Sequence, residues 1–106
     1  MVTGSPGGRT IINTVLATIL NVIDFDMNPQ EAVNAGRMHH QWLPDSIRLE
    51  LYGFSADTVT ALRAMGHTVR FGGPQGTAHV IVVNAKDDTL MGGVDHRVRD
   101  GGAAGR

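Results

Sequence analysis

The chain contains no cysteine, carries no surplus of charge of either sign, and has no apolar run long enough to cross a bilayer. Each absence removes a class of function. Without cysteine there can be no disulfide framework, no thiolate nucleophile and no Cys-ligated zinc. The compartment stays open on that ground, because exported proteins can also lack cysteine. Nine Lys and Arg stand against ten Asp and Glu, for a formal net charge of −1, and the basic residues are scattered. A nucleic-acid partner, which would call for a basic patch, is not expected. The apolar stretch Val15–Ile23 is too short for a membrane span and is interrupted by Thr18 and Asn21, so no membrane partner is expected. After Met1 the run Gly-Ser-Pro-Gly-Gly-Arg occupies the place where a signal peptide would have its apolar core.

What remains is 106 residues, 42% of them hydrophobic, enough for the core of one small domain covering 1–106. Gly4-Ser5-Pro6-Gly7-Gly8 opens directly into an apolar helical pattern. A glycine turn at a helix start presents backbone N–H groups that suit a negative oxygen, either a bound anion or the oxyanion of a transition state. On spacing alone, a plain loop before a helix is the default reading. The segment also resembles a phosphate-binding Walker loop, but Thr3 stands where its first glycine should be and Arg9 replaces its lysine. No strand is expected before it. The Gly-x-Ser-x-Gly nucleophile elbow is absent, since Ser5 follows Gly4 directly.

From about Thr10 to Asp24 two apolar rows, Ile11-Val15-Ile19-Ile23 and Ile12-Leu16-Leu20, predict a helix with a wide and mostly buried face. Asn28-Pro29-Gln30-Glu31 predicts a second helix with a capping box, ending near Gly36. Ser46–Tyr52 alternates, with Ile47, Leu49 and Leu51 facing in and Arg48, Glu50 and Tyr52 facing out. Ser55 caps a third helix, Phe54 and Val59 staple it, and Gly66 stops it. His67–Phe71 reads as a short strand. Val80-Ile81-Val82-Val83 reads as a strand buried on both faces, and Thr89–Val94 as its hairpin partner after a turn at Asp87-Asp88. The expected order is α-α-β-α-β-β-β, an α+β arrangement, with a polar glycine-rich tail from Asp95.

The five histidines do not make a metal site by spacing. His39 and His40 are adjacent and so point apart, and His67, His79 and His96 are isolated. Ordinary hydrogen-bonded histidine is expected at each, and no metal or other cofactor is called for. Trp42 is expected to pack within the connector His39–Asp45. Asp95 and Arg97 are expected to form a solvated or structural ion pair.

The run Gly4-Ser5-Pro6-Gly7-Gly8-Arg9-Thr10-Ile11-Ile12-Asn13-Thr14-Val15 resembles a segment in the small subunit of gamma-glutamyltransferases (gamma-glutamyltranspeptidases). Asn28-Pro29-Gln30-Glu31-Ala32-Val33, followed by Arg37-Met38-His39-His40-Gln41-Trp42-Leu43-Pro44-Asp45, resembles that family's next hallmark. Gly92-Gly93-Val94-Asp95-His96-Arg97, with Asp100-Gly101-Gly102-Ala103-Ala104-Gly105, is similar to its C-terminal signature. The likeness spans essentially the whole chain, and the His-His-Gln-Trp-x-Pro-Asp run is specific. Gly36 and His96 depart from it, each standing where the family has Pro.

The resemblance implies part of an N-terminal-nucleophile hydrolase fold, a four-layer αββα sandwich. It implies a reaction in which an N-terminal threonine attacks the gamma-glutamyl amide of glutathione and related compounds. The glutamyl group then passes to water or to an amine. Gly7 and Gly8 map onto the oxyanion-hole glycines. The attacking threonine, the residues that hold the glutamyl amino group and the serine pair for its carboxylate have no counterpart in these residues; the arginine for that carboxylate belongs to the large subunit. Thr3 is not the nucleophile, because it belongs to the glycine-loop segment. Activity from this chain alone is therefore not expected. The partners implied are a gamma-glutamyl or other anionic small ligand, and either a complementing chain or a second copy covering the apolar faces left open.

Overall fold

A computed structural model describes residues 1–105. Strand β1 (Val2–Gly4) runs into the glycine turn, a 3-10 turn at Gly8–Thr10 and helix α1 (Ile11–Ile23). Helix α2 (Pro29–Asn34) starts where the sequence predicts. The Asn28 side chain accepts the Glu31 N–H at 2.9 Å, the Glu31 carboxylate accepts the Asn28 N–H at 3.0 Å, and Pro29 fills the first helical position. Strands β2 (Met38–His39) and β3 (Ile47–Glu50) follow, then helix α3 (Ala56–Ala64), whose first turn is capped by Ser55 accepting the Thr58 N–H at 3.2 Å. Strands β4 (Val69–Gly72), β5 (His79–Val83) and β6 (Leu90–Val94) complete the order.

The strands form two three-stranded sheets. One is antiparallel in the order β1-β5-β6; the other is β2-β3-β4, with β3 and β4 parallel and connected through α3. Helix α2 lies on the first sheet and buries Val33 against Ala78 and Val80. Fully burying a valine contributes roughly 1.5–3 kcal/mol. Gln30 also covers the free edge of β6: its amide donates to the Val94 carbonyl at 2.7 Å and accepts the Val94 N–H at 3.3 Å, as a neighbouring strand would. The second sheet has its own core of Ile47, Leu49 and Val59, flanked by Phe54, Leu62 and Val69.

The α+β class and the third helix follow the sequence reading, but several details differ. Two short strands were not expected, β1 and β2, and β1 does precede the glycine turn. Each is too short to show an alternating pattern. The face of α1 expected to be buried is the exposed one: Ile12 is 76% accessible and Leu16 and Ile23 are also exposed, while Thr14 and Thr18 are buried. Small threonines let α1 approach α2, β1 and β2 closely, and the Thr18 hydroxyl donates to the Thr14 carbonyl at 2.9 Å. Strand β3 ends at Glu50 rather than Tyr52, because Tyr52 turns back at φ 62 and is 98% exposed. Leu51 is therefore outside the core and Glu50 is inside it. Helix α2 stops at Asn34, with Ala35 as its cap rather than Gly36. Strand β4 is displaced from His67–Phe71 to Val69–Gly72. In β5 only one face is covered: Val80 is buried under α2, while Ile81 and Val83 are exposed.

Candidate functional site

The glycine turn is held at both ends. The Gly7 carbonyl accepts the Thr10 N–H at 3.2 Å and the Thr10 hydroxyl at 3.0 Å. Ser5 Oγ donates to the Pro6 carbonyl at 2.7 Å and accepts the Thr77 N–H at 3.0 Å. Gly7 has φ 137, and a Cβ there would come within 2.6 Å of Thr10 Oγ1, so no other residue fits without displacing the turn. Gly7 and Gly8 are both exposed. Among the described residues, neither of their N–H groups donates to a protein acceptor. They stand at the positive end of the 3-10 turn and α1, where a negative oxygen is favoured.

Behind the turn lies a buried cluster of four charges. Arg37 Nη2 donates to Asp95 Oδ2 at 2.5 Å. Arg97 pairs with Asp95 Oδ1 at 2.9 Å and grips Glu50 with two nitrogens, Nε at 2.9 Å and Nη2 closer still. The two arginines also cap the end of α2: both donate to the Val33 carbonyl, at 2.9 and 3.0 Å, and Arg97 donates to the Ala35 carbonyl at 3.1 Å. Glu50 accepts the Arg37 N–H at 3.0 Å and the Gln75 N–H at 2.7 Å. Asp95 also accepts the N–H groups of Ala78 at 2.7 Å and Arg97 at 3.0 Å.

The electrostatics follow from this wiring. Burial works to raise the Asp95 carboxyl, but the Arg97 and Ala78 N–H donors and both guanidiniums outweigh it and hold it below the usual carboxylate range. Burial lowers Arg37 more than its bond to Asp95 can offset. Arg97 loses to burial too, but its bonds to Glu50 and Asp95 leave it raised.

The expected Asp95–Arg97 pair is therefore present, but it is buried and belongs to a quartet. Arg37 and Glu50 are the members that sequence reasoning missed. Arg37 is 58 residues from Asp95, and Glu50 is 47 from Arg97. The alternation that made Glu50 look outward-facing gave the opposite signal.

Of the other candidate residues, His96 borders this cluster, with Nδ1 4.0 Å from Asp95 Oδ1. His39 Nε2 is 2.9 Å from Gln41 Oε1, His40 pairs with Asp45 at 3.1 Å, and His96 Nδ1 is 3.0 Å from Asn34 Oδ1. Trp42 does not pack into its connector as expected. It is 77% exposed and adopts φ 74, which throws the ring outward. Among the described residues, no group of three His, Asp or Glu is placed to hold a metal ion, and no helix is long and apolar enough to cross a membrane.

The family model for gamma-glutamyltranspeptidase matches residues 1–105. The glutathione hydrolase proenzyme of Escherichia coli strain K12 is 48% identical over 105 residues, which are 99% of this chain and 18% of that protein. The crystal structure of a T380A mutant of Helicobacter pylori gamma-glutamyltranspeptidase superposes with a TM-score of 0.82 at 43% identity, covering 92% of this chain and 53% of that one. The gamma-glutamyltranspeptidase of Pseudomonas nitroreducens, complexed with L-DON, gives 0.86 at 35% identity, covering 99% and 55%. The chain thus spans less than a fifth of the full-length E. coli relative and about half of each solved chain.

Proposed function

The chain belongs to the gamma-glutamyltranspeptidase family, with the N-terminal-nucleophile hydrolase fold of its solved relatives, and from that premise we propose that Gly7 and Gly8 are its oxyanion hole. In gamma-glutamyl transfer or glutathione hydrolysis a nucleophile adds to the amide carbonyl, and negative charge collects on the carbonyl oxygen. The observation that carries the reading is the pair of exposed, unspent N–H groups on consecutive glycines at a helix start. With no Cβ in the way, a substrate oxygen can approach both. Each such donor contributes on the order of 3 kcal/mol of transition-state stabilisation.

The attacking threonine that the resemblance calls for has no counterpart among these 106 residues. We therefore take them as one domain equivalent to the C-terminal part of a small subunit. It supplies the electrostatic half of the site, while the nucleophile and the glutamyl-binding groups come from other residues. By themselves the 106 residues are expected to give no turnover of a chromogenic gamma-glutamyl anilide, and clear turnover would refute this division of labour. The Gly7 and Gly8 amide resonances are expected to shift on titration with glutamate, glutathione or sulfate. If neither moves at millimolar ligand, the glycines are not an anion site in this chain.

A second reading is favoured by the exposed apolar residues Ile12, Leu16 and Ile23 on α1, together with Ile81 and Val83 on β5. Apolar surface of this kind is covered by association. In this reading the chain is a self-associating module, most simply a two-fold dimer, which keeps the glycine turn as an anion site. A complementing chain carrying the nucleophile would cover the same surface.

A further inference from the structure

The glycine turn makes few bonds of its own, yet it rests against a segment that makes many. Gln75–Ala78, between β4 and β5, is tied to three of the four buried charges. The Gln75 N–H donates to Glu50 at 2.7 Å, the Gln75 and Gly76 carbonyls accept from Arg37 at 2.7 and 3.3 Å, and the Ala78 N–H donates to Asp95 at 2.7 Å. The Gln75 side chain is buried and donates to the Arg37 and Arg48 carbonyls at 3.3 and 3.2 Å. In the middle of this fixed segment Gly76 has φ 64 and faces the turn. A Cβ there would lie 2.7 Å from Ser5 Oγ, 2.8 Å from Thr14 Oγ1 and 3.2 Å from the Pro6 carbonyl. The contact is reciprocal, since a Cβ on Gly7 would lie 3.3 Å from Gly76 Cα. One hydrogen bond joins the two segments directly, from the Thr77 N–H to Ser5 Oγ at 3.0 Å.

We propose that Gln75–Ala78 is a strut that sets the position of the Gly7–Gly8 turn, with Gly76 as the positioning residue whose missing side chain makes the fit. The quartet fixes the strut, and the strut fixes the turn. The catalytic meaning of this arrangement rests on the oxyanion-hole reading above. Oxyanion donors stabilise a transition state because they are already in place, and a donor displaced by about 0.5 Å loses much of that benefit. The positioning itself is a separate physical claim.

The test compares the isotope-labelled chain with Gly76→Ala and with a control, Gly73→Ala, where an added Cβ meets nothing within 4 Å. Gly76→Ala is expected to move the Gly7, Gly8 and Thr10 amide resonances and to weaken sulfate binding at the turn severalfold, while the resonances of α3 stay in place. Gly73→Ala is expected to leave Gly7 and Gly8 where they are. A folded Gly76→Ala variant with unmoved Gly7 and Gly8 resonances overturns the strut. If the unaltered chain binds no sulfate but Gly76→Ala still moves the turn, the strut stands and the oxyanion-hole reading falls. Should Gly76→Ala fail to fold, amide exchange in the unaltered chain decides. Protection of the Thr77 N–H well above that of the Gly73 N–H supports the strut, and exchange at the Gly73 rate overturns it.

Discussion

Replacing Asp95 by Asn changes one atom in the densest part of the charge cluster, and its cost can be worked from the contacts. Asp95 accepts four hydrogen bonds, two on each oxygen: Arg37 Nη2 and the Ala78 N–H on Oδ2, Arg97 Nη1 and the Arg97 N–H on Oδ1. An asparagine keeps one oxygen. Its amide group would point hydrogens at the other pair of donors, whichever way it is turned. The four charges sum to zero, and the substitution leaves a surplus positive charge in a site where Arg37 and Asp95 are almost fully buried. Breaking a buried pair from one side costs about 3–5 kcal/mol. That is a large share of the roughly 5–15 kcal/mol by which a domain of this size is stable. In urea, where small domains lose about 1–3 kcal/mol per molar, the midpoint should fall by about 2 M. The control is Asp45→Asn, which removes the charge from an exposed contact with His40 and should stay within about 0.5 kcal/mol. If Asp95→Asn shifts stability by less than about 1 kcal/mol, the value of an ordinary surface pair, then the four charges do not act as one buried cluster.

Two further outcomes follow. Because Asp95 is held below the usual carboxylate range, its share of the stability is fully present above about pH 3.9, where the unfolded carboxyl titrates, and is lost as the pH falls through the lower folded value. Thermal midpoints measured down to about pH 2 should therefore drop in acid, and Asp95→Asn should show a shallower drop than the unaltered chain. Sedimentation velocity should find a dimer or larger species, and Leu16→Glu on the exposed side of α1 should shift it toward monomer; a stable monomer in the unaltered chain would refute self-association.

Local signals were legible where the physics is local. The Asn28-Pro29-Gln30-Glu31 capping box, the Ser55 cap and the Gly66 stop all act within one helical turn, and each stands where the sequence places it. The amphipathic reading of α1 failed for a different reason. Apolar periodicity reports which face is suited to burial, and the structure shows which face is buried by the residues present. The two disagree on Thr14 and Thr18, buried, against Ile12 and Leu16, exposed. Val80–Val83 repeats the lesson: a run suited to burial on both faces has a cover on one. Both mismatches expose apolar surface, as expected of a chain that spans about half of each solved relative. Tyr52 and Trp42 went unforeseen because positive φ at a large residue has no signature in spacing.

The candidate site divides along the same line. The glycine turn at Gly7 and Gly8 was legible because the turn and the helix start are contiguous, and the role proposed for it above comes from the resemblance and not from spacing. The strut and the charge quartet were not legible, because their members come from four separate stretches: Arg37 after α2, Glu50 at the end of β3, Gln75–Ala78 before β5, and Asp95 and Arg97 after β6. No short window of sequence holds more than two of the four charges. Their arrangement nonetheless explains a feature that the turn by itself does not. Two glycines with positive φ are costly to hold in one conformation, since glycine loses more freedom on ordering than any other residue. Few of the turn's own hydrogen bonds offset that cost. The ordering comes from outside, through Thr77 and Gly76, and those are fixed by charges that would themselves be expensive to bury unpaired. A cluster that reads in isolation as a stability feature thus sits one segment away from the exposed Gly7 and Gly8 N–H groups proposed above as the oxyanion hole.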